Sequence, residues 1–160
     1  MFMIRKANIN DVKVIRTILL LYSQQGTLLG RSLSELYDQI RDFFVYVDSD
    51  SEDGSVAGTC ALHICWDDIA EIRSLAVKEG FSGRGMGKGL VGACIEEAVE
   101  LGIRKLFVLT YVPEFFEKMG FRRVDKSVLP HKVWADCINC IKFPDCDEEA
   151  LMMELVENNK

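Results

Sequence analysis

Two clusters in this 160-residue chain have residue types and spacings that could do chemistry. The first is Arg84-Gly85-Met86-Gly87-Lys88-Gly89, the end of a stretch that also holds Gly80 and Gly83. A strand, a glycine-rich loop and a helix in that order form an anion-binding device. The first N–H groups of a helix lack internal acceptors and carry partial positive charge. Glycines let backbone approach a phosphate without Cβ clashes, so several N–H groups can bond it together. Arg84 and Lys88 add local cations. A P-loop would need Ser or Thr after its Gly-Lys pair, and Gly89 stands there instead, so the Mg²⁺ ligand is missing. A dinucleotide loop would need a third glycine where Lys88 stands, and it would belong to the first βα unit. A bare glycine turn without a ligand is the plain alternative.

The second cluster is Cys137, Cys140 and Cys146, in a cysteine-containing insertion over residues 131–149. Cys-x2-Cys is a metal-type spacing, and His131 could complete a structural Cys₃His zinc site. A second Cys-x2-Cys is missing, so a packed turn with free thiols competes with the zinc reading. Cys60, Cys65 and Cys94 fall within apolar patterns and are expected in the core.

These residues must be positioned by local elements. Met1–Lys6 reads as a strand. A helix starts near Asn8 or Asn10, both good N-caps, and carries Val12, Ile15, Ile18, Leu19 and Tyr22 at helical spacing. Ser32-Leu33-Ser34-Glu35 fits a capping box, followed by a stripe of Leu33, Leu36 and Ile40. Strands are expected at Phe43–Val47, Val56–Trp66 and Ile69–Val77. A loop then runs to Lys88, and a helix over Leu90–Leu101 has Leu90, Cys94, Ile95 and Val99 near one face. Lys105–Thr110 reads as a strand, Glu114–Met119 as a short helix and Arg122–Val124 as a strand. Periodicity leaves Ala150–Val156 open between strand and helix. This order predicts one mixed α/β domain over residues 1–160.

The glycine loop fits Arg/Gln-x-x-Gly-x-Gly/Ala, the pyrophosphate loop of the GNAT superfamily of N-acetyltransferases, at every fixed position. Glu71-Ile72-Arg73-Ser74-Leu75-Ala76-Val77 resembles that superfamily's central strand. Phe115-Phe116-Glu117-Lys118-Met119-Gly120-Phe121 resembles its second signature, Phe-Tyr-x-x-x-Gly-Phe. The resemblance implies the GNAT fold, a mostly antiparallel sheet splayed at the cofactor site and flanked by helices. It also implies acetyl-CoA as acetyl donor. The backbone of Leu75, Ala76 and Val77 would meet the pantetheine arm, and the N–H groups of Arg84, Gly85, Met86, Gly87, Lys88 and Gly89 would hold the pyrophosphate. Direct attack of a neutral amine on the thioester needs a base, for which Glu71 is the candidate, and an oxyanion donor, for which the strand near Leu75 is the candidate. Many members use tyrosine to protonate the leaving thiolate. Phe116 stands at that position, and Tyr111 is a nearby substitute.

Closer likeness is to the acetyltransferase domain of amino-acid N-acetyltransferases, the N-acetylglutamate synthases. It rests on Ile4–Val12, Gln24–Ser32, Lys105–Thr110, Phe121–Asp125 and Leu129-Pro130. That resemblance implies L-glutamate or L-glutamine as acceptor and the first step of arginine biosynthesis. An amino-acid substrate needs cations for its carboxylates. Arg31 and Arg73 are the candidates, and Lys6 is a weaker one. Longer synthases carry an arginine shortly after Leu109-Thr110, whereas this chain has Tyr111-Val112-Pro113, so the carboxylate contact is expected to be rebuilt. N-acetylation of a polyamine or a peptide amine is the second reading, and a non-catalytic acyl-CoA-binding module the third.

The net charge of −6 argues against a generic nucleic-acid or anionic-membrane surface. Met1–Arg5 is followed by polar residues rather than an apolar signal core, and Ile18–Tyr22 is too short to span a bilayer. A cytoplasmic protein with a small-molecule partner is expected, with homodimerisation left open.

Overall fold

Alternation sets the central strand. Along Ile69–Val77, the residues Ala70, Ile72, Ser74 and Ala76 are buried, and Glu71, Arg73, Leu75 and Val77 are half-buried. A computed structural model describes residues 2–24, 32–48, 55–78, 85–130 and 148–155 of the chain. Its strands are β1 (Phe2–Lys6), β2 (Phe43–Asp48), β3 (Val56–Ile64), β4 (Ile69–Val77), β5 (Lys105–Thr110), β6 (Arg122–Val124) and β7 (Glu149–Glu154). They form a seven-stranded sheet in the order β1-β2-β3-β4-β5-β7-β6. The β1–β2, β2–β3, β5–β7 and β6–β7 pairs are antiparallel. Helices α1 (Val12–Gln24), α2 (Leu33–Asp38), α3 (Met86–Leu101) and α4 (Pro113–Lys118) complete the expected mixed α/β fold. None of the described helices is long and apolar enough to cross a membrane.

The chain divides into two compact units, Met1–Leu62 with Ile72–Glu96, and His63–Glu71 with Glu97–Lys160. In the first, Val12, Ile15, Ile18 and Leu19 of α1 and Leu36 of α2 pack with Val45, Val47 and Ala61. Helix α3 covers the opposite face of those strands, where Gly89 lies against Ile4 and Tyr46 and Cys94 meets Cys60. In the second, Phe107, Ala150 and Met152 pack with Cys65, Ile69 and Leu129. Phe116 stacks edge-on against Phe115 and Phe121, with ring centroids 5.0 and 5.5 Å away.

Both expected helix starts carry their caps. Asn8 caps a 3-10 turn, Ile9–Asp11, that leads directly into α1. The Ser32 hydroxyl accepts from the Glu35 N–H at 3.1 Å. The Asp11 carboxylate accepts the Asn8 N–H at 2.8 Å and a bidentate pair from Arg5 at 2.7 and 3.0 Å, which ties β1 to the start of α1. Cys60, Cys65 and Cys94 are buried free thiols.

Several boundaries differ from expectation. β3 stops at Ile64, and Trp66 is largely exposed in the turn beyond it. α4 begins at Pro113, which favours the first helical position because its missing N–H has no acceptor there. α3 begins at Met86, four residues before Leu90, and its buried stripe is Met86, Leu90, Val91, Cys94 and Ala98. Ile95 and Val99 lie at the half-buried margin of that stripe.

Candidate active site

The glycine motif sits at the mouth of α3. Gly85 enters the helix at φ 77°, a left-handed conformation natural to glycine. Among the described residues, nothing lies within 4 Å of where its Cβ would stand, which leaves room beside the backbone at that point. Met86 follows as the apolar anchor, 2% exposed. This burial overrides the low helix propensity of Gly87 and Gly89 and draws the motif into the first turn.

One donor is reassigned. The Gly89 N–H donates to the Gly85 carbonyl at 3.0 Å, closing the first turn. It is therefore not one of the helix's orphan donors. Those are the N–H groups at the very start of α3, Met86 to Lys88. Lys88 is exposed beside them, and Arg84 lies outside the described residues. Orphan N–H groups, open space at Gly85 and an exposed ammonium fit a phosphate-bearing substrate.

β4 approaches this helix from the sheet. The Lys78 N–H donates to the Ala57 carbonyl at 2.7 Å, so Lys78 turns its backbone toward β3. Backbone groups alternate along a strand, so Ala76 also faces β3, while Leu75 and Val77 turn theirs to the other edge. Just before them stands Ser74, buried and at φ 57°. It is the non-glycine residue with positive φ among those described. A left-handed serine inside a strand costs about 1–2 kcal/mol, and such strain concentrates at functional sites.

Glu71 and Arg73 occupy alternate, half-buried positions on β4, the same strand as Leu75, Ala76 and Val77. Arg31, Arg84, His131, Cys137, Cys140 and Cys146 lie outside the described residues. Among the described residues, no three His, Cys, Asp or Glu side chains are grouped to hold a metal ion. Tyr111 is half-buried just after β5, and Phe116 is 1% exposed within its ring stack. A cavity of about 460 Å³ opens beside Asn8, Asn10, Ser55 and Lys78. Arg5 and Asp11 pair with each other on its wall, and Lys78 adds a further positive charge.

Two residues were not singled out from sequence. Ser74 carries no signal, since serine gives no hint of a left-handed strand position. Gly58 does, because an isolated glycine in a strand pattern marks a bulge or a close approach.

Comparison with known proteins agrees with this geometry. The profile described as Acetyltransferase (GNAT) family matches residues 17–121. An uncharacterized N-acetyltransferase of Chlorobaculum tepidum is 40% identical, over 95% of this chain and 96% of its own. An amino-acid acetyltransferase of Mycobacterium tuberculosis is 33% identical, over 82% of this chain and 74% of its own. An N-acetylglutamate synthase of Neisseria gonorrhoeae, solved with coenzyme A and N-acetyl-glutamate, superposes with a TM-score of 0.84 at 27% identity. That match takes in 98% of this chain but 36% of the synthase.

Proposed function

This chain belongs to the acetyltransferase (GNAT) family, and we propose from that premise that it moves the acetyl group of acetyl-CoA to the α-amine of an amino acid, L-glutamate or L-glutamine first. Acetyl-CoA-dependent N-acetyl transfer goes with the family. An amino-acid acceptor is supported by likeness to a protein named amino-acid acetyltransferase along most of the chain.

The structural observation that carries the reading is the pairing of two backbone surfaces. The orphan N–H groups of α3 suit the pyrophosphate. The side of β4 turned away from β3, at Leu75, suits the amides of pantetheine. In this reading the Leu75 N–H also receives the thioester oxygen as it becomes an oxyanion, a role worth about 10²–10³ in rate for such donors. Glu71 takes the proton that frees the amine lone pair. The amine nitrogen forms its bond to the carbonyl carbon and releases its second proton to solvent, the C–S bond breaks, and the electron pair leaves on sulfur. With Phe116 in place of a tyrosine, the thiolate departs unprotonated, which a thiol of pKa about 8.5 tolerates. Arg73, and Arg31 from the segment before α2, are the candidate carboxylate partners. A cytoplasmic location and the first step of arginine biosynthesis follow within the same proposal.

The test is release of coenzyme A thiol with a panel of free amino acids, polyamines and peptides. Turnover with glutamate or glutamine is expected. Turnover confined to polyamines or peptides would transfer the chain to the second reading, which its acidic charge favours. Tight acetyl-CoA binding with no turnover on any amine would make it a binding module.

A further inference from the structure

Gly58 lies on β3, outside every motif considered above, yet it packs against both elements whose backbone is assigned to the cofactor, α3 and the end of β4. A methyl group there would stand 3.2 Å from Leu90 Cδ1, 3.3 Å from the Ala76 carbonyl oxygen and 3.5 Å from Val77 Cγ2. The first contact belongs to α3, one turn in from its N-terminus. The other two belong to the end of β4. Contacts of 3.2–3.3 Å force a neighbour to move. Leu90 is fully buried and cannot swing into solvent. The Ala76 carbonyl is backbone, on a strand fixed next door by the bond from Lys78 to Ala57. The helix is the part that yields.

We propose that Gly58 is a positioning residue for acetyl-CoA. Its missing side chain lets α3 seat close to β3 and β4, and so sets where the helix N-terminus meets the pyrophosphate. This rests on the proposed use of that N-terminus and adds to it a residue distant from the motif. Bound geometry is unforgiving, since misplacement of about 1 Å can cost about 10²-fold, so a few tenths of an ångström is readable.

The experiment compares Gly58→Ala with wild type for acetyl-CoA affinity by calorimetry, and for kcat and KM with acetyl-CoA and with acetyl-pantetheine, which lacks the pyrophosphate. Gly58→Ala is expected to raise Kd and KM for acetyl-CoA about fivefold or more, with kcat and the acetyl-pantetheine parameters within about twofold. Adding Leu90→Val, which removes the clashing Cδ1, should recover most of the affinity. Gly92→Ala is the control on the same helix, since among the described residues nothing lies within 4 Å of that position. Unchanged acetyl-CoA affinity in Gly58→Ala overturns the proposal. So does equal loss with both donors, or loss that Leu90→Val does not repair, because each marks a general packing defect. Wild-type protein that binds no acetyl-CoA would instead overturn the cradle reading itself.

Discussion

Lys78 donates its backbone N–H to the carbonyl of Ala57 at 2.7 Å, and this bond decides which way the end of β4 turns its polar groups. By alternation the Leu75 amide faces away from β3, where it can receive a ligand oxygen. Replacing the Leu75 amide by an ester removes the N–H and keeps the side chain. We expect kcat to fall by about 10²–10³, with a smaller change in acetyl-CoA affinity. Single-turnover kinetics on the semisynthetic protein measure both. Equal kcat for amide and ester would remove Leu75 as the oxyanion donor.

Ser74, immediately before it, is held at φ 57°. Ser74→Gly should match or exceed wild-type stability, by up to about 1 kcal/mol, because glycine adopts that conformation freely. Ser74→Val should lose about 2 kcal/mol or more, since a β-branched residue resists it. Urea unfolding gives both values. If valine were as stable as serine, the strand could not hold a left-handed residue there.

The Arg5–Asp11 pair makes stability depend on pH. Burial alone would raise the Asp11 carboxyl, but the Arg5 hydrogen bonds, the Asn8 N–H and the Arg5 charge together hold it below the usual carboxylate range. Arg5 is raised by its hydrogen bond to Asp11 despite partial burial, and stays charged throughout. A carboxyl lowered by folding contributes stability above its unfolded value, about 3.9, and loses it as pH falls through the folded value. Asp11→Asn should therefore cost about 1–3 kcal/mol at neutral pH. The gap in melting temperature should close as pH falls below about 3.9. A gap that stays constant into acid would show that the charge contributes nothing.

In the proposed mechanism Glu71 acts as the base. Glu71→Gln should remove the acid limb of the kcat/KM profile and lower kcat by about 10²–10⁴. A bell unchanged in shape and height would take Glu71 out of the chemistry.

Much of the frame was readable beforehand. The bounds of β4, β5 and β6 follow from alternation and turn residues, and the Ser32 cap from its spacing to Glu35. Ala150–Val156 is ambiguous in sequence because Ala150, Leu151 and Met152 are all buried. A strand buried on both faces reads as a continuous apolar run. Its registry with β5 and β6 decides it, and that is long-range information. The true start of α3 escaped because propensity penalises Gly87 and Gly89, while the burial that outweighs it is tertiary. For the proposed cofactor site, the sequence itself carries the motif Arg84–Gly89. The Ser74 conformation and the close contact at Gly58 are not legible there, since both depend on neighbours distant in sequence.

Transfer to an α-amine is tested most directly by following the acetyl group itself. Acetyl-CoA carrying a ¹³C label in the acetyl group, incubated with this protein and L-glutamate, can be read by NMR and mass spectrometry of products and protein. Label should appear as the amide of N-acetylglutamate, matched mole for mole by free coenzyme A, with none retained on the protein. Label that remains on coenzyme A in the presence of glutamate and glutamine, or that accumulates covalently on the protein, would contradict direct transfer to an amino acid.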